Sequence, residues 1–135
     1  MGKLSGPAQA GEAYDFVGEY REGLAYVRNN LREFRVGFID EQGELVIPLD
    51  YFGRVTVNGR ERFVHFPFFS EGLAALLNAE GKFGYIDRFN RTVIPFIYDG
   101  AWPFSDGIAR VRLGEEEGCI DKQGTVVVPF MKPAD

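Results

Sequence analysis

The side chains able to do chemistry in this sequence are few, and their spacing argues against using them for it. His65 and Cys119 are the only imidazole and the only thiol. A Cys–His pair is one way to activate a nucleophile. Cys119, however, stands in a strand slot that Phe38 and Tyr85 fill elsewhere in the chain, which reads as a small residue packed in place. No Ser-His-Asp set can be assembled with any spacing logic. Structural zinc takes four Cys, His or acidic ligands, and His65 and Cys119 are all this chain has of the first two kinds. The carboxylates Asp40, Asp87 and Asp121 recur, each three residues before Gly43, Asn90 or Gly124. That spacing describes a turn: an Asp side chain bonds amides two or three positions on, and Gly or Asn accepts left-handed backbone. Glu115-Glu116-Glu117 lies between Gly114 and Gly118 and reads as a solvated hairpin tip, without the spaced ligands of a calcium loop. Gly81-Lys82-Phe83-Gly84 lacks the length and the Ser or Thr of a phosphate loop. No catalytic residue, metal site or cofactor is expected, and the protein is expected not to be an enzyme.

The remaining chemistry is that of a surface. Phe63, His65, Phe66, Phe68 and Phe69 form an apolar stretch that occurs once. It overlaps the end of a segment, 52–66, that reads as an inserted hairpin: Val55-Thr56-Val57, Asn58-Gly59, then Arg62-Phe63-Val64, with Asn-Gly as a tight-turn signal. A two-residue turn would set Val57 opposite Arg60 and Val55 opposite Arg62. A three-residue loop, with Val55 opposite Phe63 or Glu61, keeps the apolar pattern together and is the expected register. Core packing against the hairpin accounts for the aromatics. An added strand pair also leaves an edge open to another chain. Phe63 and Phe66 are therefore the candidate anchors of a partner or self-association surface, beside His65, with Arg54, Arg60 and Arg62 as its rim.

The chain has 135 residues, a formal net charge of -5 and 45% hydrophobic residues. It is long enough for one domain with a real core. The charge argues against binding nucleic acid, which calls for a basic stripe. One cysteine permits no internal disulfide and fits a reducing compartment. Met1 to Glu12 lack the basic and apolar regions of a secretory signal, and no run approaches the roughly 18 apolar residues of a membrane span. A cytoplasmic protein without membrane contact is the expectation.

The elements that must position these residues come from a motif written three times. Glu22-Gly23-Leu24-Ala25-Tyr26-Val27, Gly37-Phe38-Ile39-Asp40 and Val46-Ile47-Pro48 make the first unit. Glu71-Gly72-Leu73-Ala74-Ala75-Leu76, Gly84-Tyr85-Ile86-Asp87 and Val93-Ile94-Pro95 make the second. Asp106-Gly107-Ile108-Ala109-Arg110-Val111, Gly118-Cys119-Ile120-Asp121 and Val127-Val128-Pro129 make the third. Each reads as three short strands. Ala25 and Val27, Ala74 and Leu76, and Ala109 and Val111 mark a constant core face. The variable positions opposite, Tyr26, Ala75 and Arg110, read as wetter. Asn29 to Phe34 is the one helical candidate, a single turn at most.

This pattern resembles the WG-repeat (KWG-repeat) family. Phe69 to Ala74, Phe104 to Ala109, Gly84 to Asp87, and Val-Ile-Pro followed by Tyr98-Asp99 carry the likeness, which extends from about residue 16 to 129. The tryptophan that names the family is replaced by Val36, Phe83 and Glu117, so no role of that tryptophan carries over. The resemblance implies an all-β bacterial repeat module of unassigned function, taken to mediate binding and bringing no catalytic residues.

The expected organisation is a flexible segment 1–13 followed by a single β domain, 14–135. Its repeats span about 16–51, 67–99 and 102–131. The expected fold is all-β, with three antiparallel meanders plus the hairpin in an open, solenoid-like array; a closed pseudo-threefold barrel or trefoil-like body is the alternative. Tyr14-Asp15-Phe16 and Phe130-Met131 are the candidate caps. The expected function is a non-catalytic module binding a protein or peptide. Binding a carbohydrate or cell-surface ligand through aromatics is second, and an enzyme third. A flat apolar surface would favour protein; a groove of aromatics ringed by Asp, Asn and Arg would favour sugar.

Overall fold

A computed structural model describes residues 14–30 and 33–133. The expected flexible segment 1–13 lies outside them, as do residues 31 and 32 of the expected helical turn. Asn29 ends a strand, Asn30 has the 3-10 helical conformation, and Glu33 and Phe34 take left-handed φ of 63° and 59°.

The described residues are all-β, with thirteen strands: β1 (Phe16–Arg21), β2 (Leu24–Asn29), β3 (Arg35–Ile39), β4 (Leu45–Phe52), β5 (Arg54–Val57), β6 (Arg60–Phe63), β7 (Ala74–Leu77), β8 (Phe83–Ile86), β9 (Thr92–Tyr98), β10 (Gly100–Ala101), β11 (Ile108–Leu113), β12 (Glu116–Asp121) and β13 (Val126–Met131). They form an antiparallel seven-stranded sheet ordered β1-β2-β3-β4-β7-β8-β9, a four-stranded sheet β10-β11-β12-β13 and a separate pair β5-β6. The sheets keep their edges and close into no barrel, so the array is open. Each unit is a three-strand meander: β2-β3-β4, β7-β8-β9 and β11-β12-β13. Tyr14-Asp15-Phe16 leads into β1, a strand of its own paired with β2.

The second strand of each unit carries a glycine for lack of space. In all three units the third strand bulges opposite that glycine. The bulge pushes its backbone toward the neighbour. A Cβ on Gly37 would stand 2.2 Å from the Ile47 carbonyl oxygen. On Gly84 it would stand 2.8 Å from the Ile94 oxygen and 2.7 Å from the Phe96 ring, and on Gly118 2.7 Å from the Val128 oxygen.

The first two strands of the first and second units are buried on both faces, which corrects the wetter face. Tyr26 is 3% exposed, Ala75 5%, Phe38 and Tyr85 0%. These side chains pack between units. Tyr26, Phe38 and Ile47 of the first unit share a core with Phe69, Ala74, Leu76 and Ile86 of the second. Ala75, Tyr85 and Ile94 of the second share one with Phe104, Ala109, Val111 and Ile120 of the third. The Phe that precedes each later Glu/Asp-Gly turn is the knob: Phe69 meets Phe38 edge-on at 4.7 Å, and Phe104 meets Tyr85 at 4.9 Å. Only in the third unit is that face open. Arg110 is exposed, Cys119 half-buried and Val128 44% exposed.

A polar clasp accompanies each of these cores. Glu22-Gly23, Glu71-Gly72 and Asp106-Gly107 are tight turns with left-handed φ at both residues, the geometry that suits strand twist. Their amides point away from the sheet ladder and need acceptors. The Glu71 and Gly72 amides donate to the Glu22 carboxylate at 2.8 and 3.0 Å. The Asp106 and Gly107 amides donate to the Glu71 carboxylate at 2.7 and 3.0 Å, and Lys122 Nζ joins it at 3.3 Å. The Gly107 amide, with Lys122 and the Asp106 amide, holds the Glu71 carboxyl below its ordinary pKa against the opposing effect of desolvation. Each acid thus grips the turn of the next unit. Glu71→Gln should speed amide exchange at Asp106 and Gly107 while leaving Glu71 and Gly72, held by Glu22, unchanged. Equal rates at Gly107 in both proteins would show that the clasp carries no stability.

Candidate ligand-binding groove

The inserted hairpin has a strict two-residue turn, contrary to the longer loop expected. Val57 pairs with Arg60, Thr56 with Glu61, Val55 with Arg62 and Arg54 with Phe63. Asn58 and Gly59 take φ of 51° and 79°, as a two-residue hairpin turn requires. The pairing wastes nothing, because Arg62 has a distant partner. Its Nη1 reaches Asp99 Oδ1 at 2.9 Å and the Gly81 carbonyl at 2.8 Å. Val55 packs against the core between the second and third units.

Asp99 gathers donors from three other segments at one carboxylate. Besides Arg62, Lys82 Nζ donates at 2.7 Å and the Gly114 amide at 2.7 Å. Its side chain is 11% exposed. Burial alone would raise its pKa; the Gly114 amide, Lys82 and Arg62 overcome that and hold it at about 2. Arg112 completes the cluster, donating to the carbonyls of Gly114 and Asp99 at 2.8 Å each.

Between the docked hairpin and the third unit lies a groove of about 460 Å³. Glu61, Arg62, Phe63, His65 and Phe66 form its hairpin side; Phe83, Asp99, Gly100, Ala101, Trp102 and Arg112 form the other. Phe63, 40% exposed, and Phe66 flank His65 with ring centroids 5.9 and 6.4 Å from it. The Trp102 carbonyl accepts a 2.7 Å bond from the Tyr85 hydroxyl, whose pKa burial pushes up, so that the donor stays protonated. Arg110 lies over the Trp102 ring, 4.1 Å from its centroid.

Four of the six expected surface residues, Arg62, Phe63, His65 and Phe66, thus line one groove. The other two lie outside its lining. Arg54 covers the Phe34 ring at 3.7 Å and faces Glu61 at 3.8 Å. Arg60 is exposed beside the hairpin turn. Trp102, Asp99 and Arg112 were not foreseen. Trp102 carried a signal, being the sole tryptophan and sitting outside the slot that names the repeat.

The recurring carboxylates do not converge. Asp40 Oδ1 accepts the Gln42 and Glu44 amides, Asp87 Oδ1 those of Phe89 and Arg91, and Asp121 Oδ1 those of Gln123 and Thr125, all at 2.9–3.0 Å. Gly43, Asn90 and Gly124 follow with φ of 82°, 64° and 84°. Each Asp therefore spends its charge inside its own turn. Asn78 does the same for Glu80 and Lys82. Among the described residues no three His, Cys, Asp or Glu side chains group to hold a metal ion.

No curated protein matches the chain. The family model of the WG containing repeat matches it at residues 13–30, 37–51 and 83–116. The last segment runs from the second strand of one unit through the clasped turn into the first hairpin of the next, so the matched pattern spans the junction built above. This chain carries WG containing repeats.

Proposed function

We propose that the protein is a non-catalytic module that binds a peptide segment of a protein partner in the groove between the hairpin and the third unit. The observation that carries this reading is the concave site itself: Phe63, Phe66 and Trp102 offer apolar surface in it, beside a hairpin whose two strands have open edges. Aromatic anchors in a cleft supply most of the binding energy in such interfaces, and an open edge lets an extended peptide add main-chain bonds. Carbohydrate binding is the second reading, favoured by a groove in which Trp102 lies near Asp99 and Arg112. Against it, Asp99 is saturated by Arg62, Lys82 and the Gly114 amide, which leaves it little capacity for sugar hydroxyls.

Selection from a random displayed-peptide library against the intact chain, with an oligosaccharide array in parallel, tests this. Enriched peptides should bind at least roughly tenfold more weakly to a Phe63→Ala/Phe66→Ala variant, the loss of about 1.4 kcal/mol expected of truncated anchors. Peptides that bind the variant equally well, or retention of oligosaccharides alone, would overturn the reading. Concentration-dependent sedimentation that the same variant abolishes would make a second copy of the chain the occupant.

A further inference from the structure

The charges around the groove do not balance locally. In its lining Arg62 and Arg112 stand with the two carboxylates of Glu61 and Asp99, and Arg54 and Lys82, outside the lining, pair with those same carboxylates. Glu61 faces Arg54 at 3.8 Å, and Asp99 is shared by Arg62 and Lys82 at 2.9 and 2.7 Å. Arg112 has no carboxylate in ion-pair range among the described residues; its two hydrogen bonds go to backbone carbonyls. A guanidinium has five N–H donors, so three remain. This surplus of cations sits in a chain of net charge -5.

The unspent guanidinium adjoins the aromatic wall. Above Gly100, the point where a Cβ would stand is 3.2 Å from Arg112 Nε and 3.4 Å from Trp102 Cζ3. Gly100 is buried, so cation and indole close in on its backbone from both sides and lie next to each other in the groove wall. A ligand in the groove meets a forked donor and an apolar ring side by side.

Resting on the binding role proposed above, we infer that the groove selects an acidic, apolar peptide: a segment in which a Glu or Asp lies next to aromatic or aliphatic residues. Arg112 takes the carboxylate; Trp102, Phe63 and Phe66 cover the apolar side chains. A carboxylate suits a half-buried guanidinium because the charge-assisted bond is strong and bidentate geometry fits the fork. It also supplies the counter-charge that the protein leaves out.

Trp102 is the only tryptophan, so intrinsic fluorescence reports on the groove directly. The probes are the terminally blocked pentapeptide Gly-Phe-Glu-Leu-Gly and its counterpart with Gln in place of Glu. With the intact chain at low salt, the Glu peptide should bind roughly tenfold more tightly than the Gln peptide, and about 0.5 M salt should shrink that ratio. In Arg112→Met the ratio should fall to near one, with residual binding of both peptides. Arg112→Lys, which keeps the charge but not the fork, should give an intermediate ratio and guards against a folding defect in the first variant. Equal affinities of the intact chain for both peptides, or a ratio that survives Arg112→Met, would sink the charge selection and leave the groove reading standing. Absence of any fluorescence change with either peptide would sink the acidic-peptide selection, while the library selection decides the groove reading separately.

Discussion

Replacing Gly37 by alanine is expected to destabilise the fold by about 3 kcal/mol, at the upper end for overpacking one methyl, and to lower Tm by roughly 10 °C for a domain of this size. The backbone of β4, which cannot swing aside like a flexible side chain, fills the space: the new Cβ would stand 2.2 Å from the Ile47 oxygen and 2.7 Å from the Pro48 oxygen. Gly84→Ala should behave alike, with the Phe96 ring yielding somewhat. Gly107 makes the contrast. Its φ is +83°, but nothing lies within 4 Å of its Cβ position, so alanine there costs only the left-handed strain of about 1 kcal/mol. Thermal melts of the three variants decide the matter. Should Gly37→Ala melt no lower than Gly107→Ala, close approach is not what requires the glycine.

Removing the Asp99 carboxylate should be nearly as costly and should betray itself through pH. Its folded pKa of about 2 lies below the ordinary 3.8. A depressed carboxyl stabilises the folded state above its unfolded pKa, and that contribution is lost as pH falls through the folded value. It amounts to about 2 kcal/mol, full above pH ~4 and gone near pH 2. Asp99→Asn should therefore lower the urea midpoint at neutral pH and flatten the acid limb between about pH 4 and 2 relative to the unaltered chain. Parallel acid limbs would mean that Arg62 and Lys82 do not hold this carboxylate in solution. The variant should also loosen the hairpin. Loss of the whole hairpin would go further, stripping Asp99 of Arg62 and the core between the second and third units of Val55.

Much of the architecture was legible because it is local. Ile-Asp-x-x-Gly and Val-Ile-Pro each prescribe a few consecutive backbone conformations, and repetition at three places made the meanders visible. Two features escaped for the opposite reason. The hairpin register looked wasteful with Val55 opposite Arg62, since the partner of Arg62 lies 37 positions away. The face of Tyr26 and Ala75 looked solvated because it varies. It varies because each unit is fitted to the next: Phe38 to Phe69, Tyr85 to Phe104. Strand β1 was invisible, its residues mostly exposed and interrupted by Gly18. The groove was half legible. Phe63 and Phe66 stood out as an unrepeated aromatic run, whereas Asp99 and Arg112 matter only once the hairpin has folded over them.

The clasp that joins the units has a direction, and the direction bears on how such a chain can change length. At both junctions the earlier unit supplies the acid and the later one the pair of turn amides. A duplicated unit inserted in the middle would therefore find its donors and acceptors already matched, without a substitution anywhere else. Excising the second unit would bring Glu22 to the Asp106-Gly107 turn and Phe38 to Phe104, contacts of the same kind as those lost. Arrays held together by a symmetric contact, or by one long-range staple, have no such freedom. Here unit number is a variable that the interfaces do not fix, and the particular neighbour each variable face was fitted to is what a change in number would disturb.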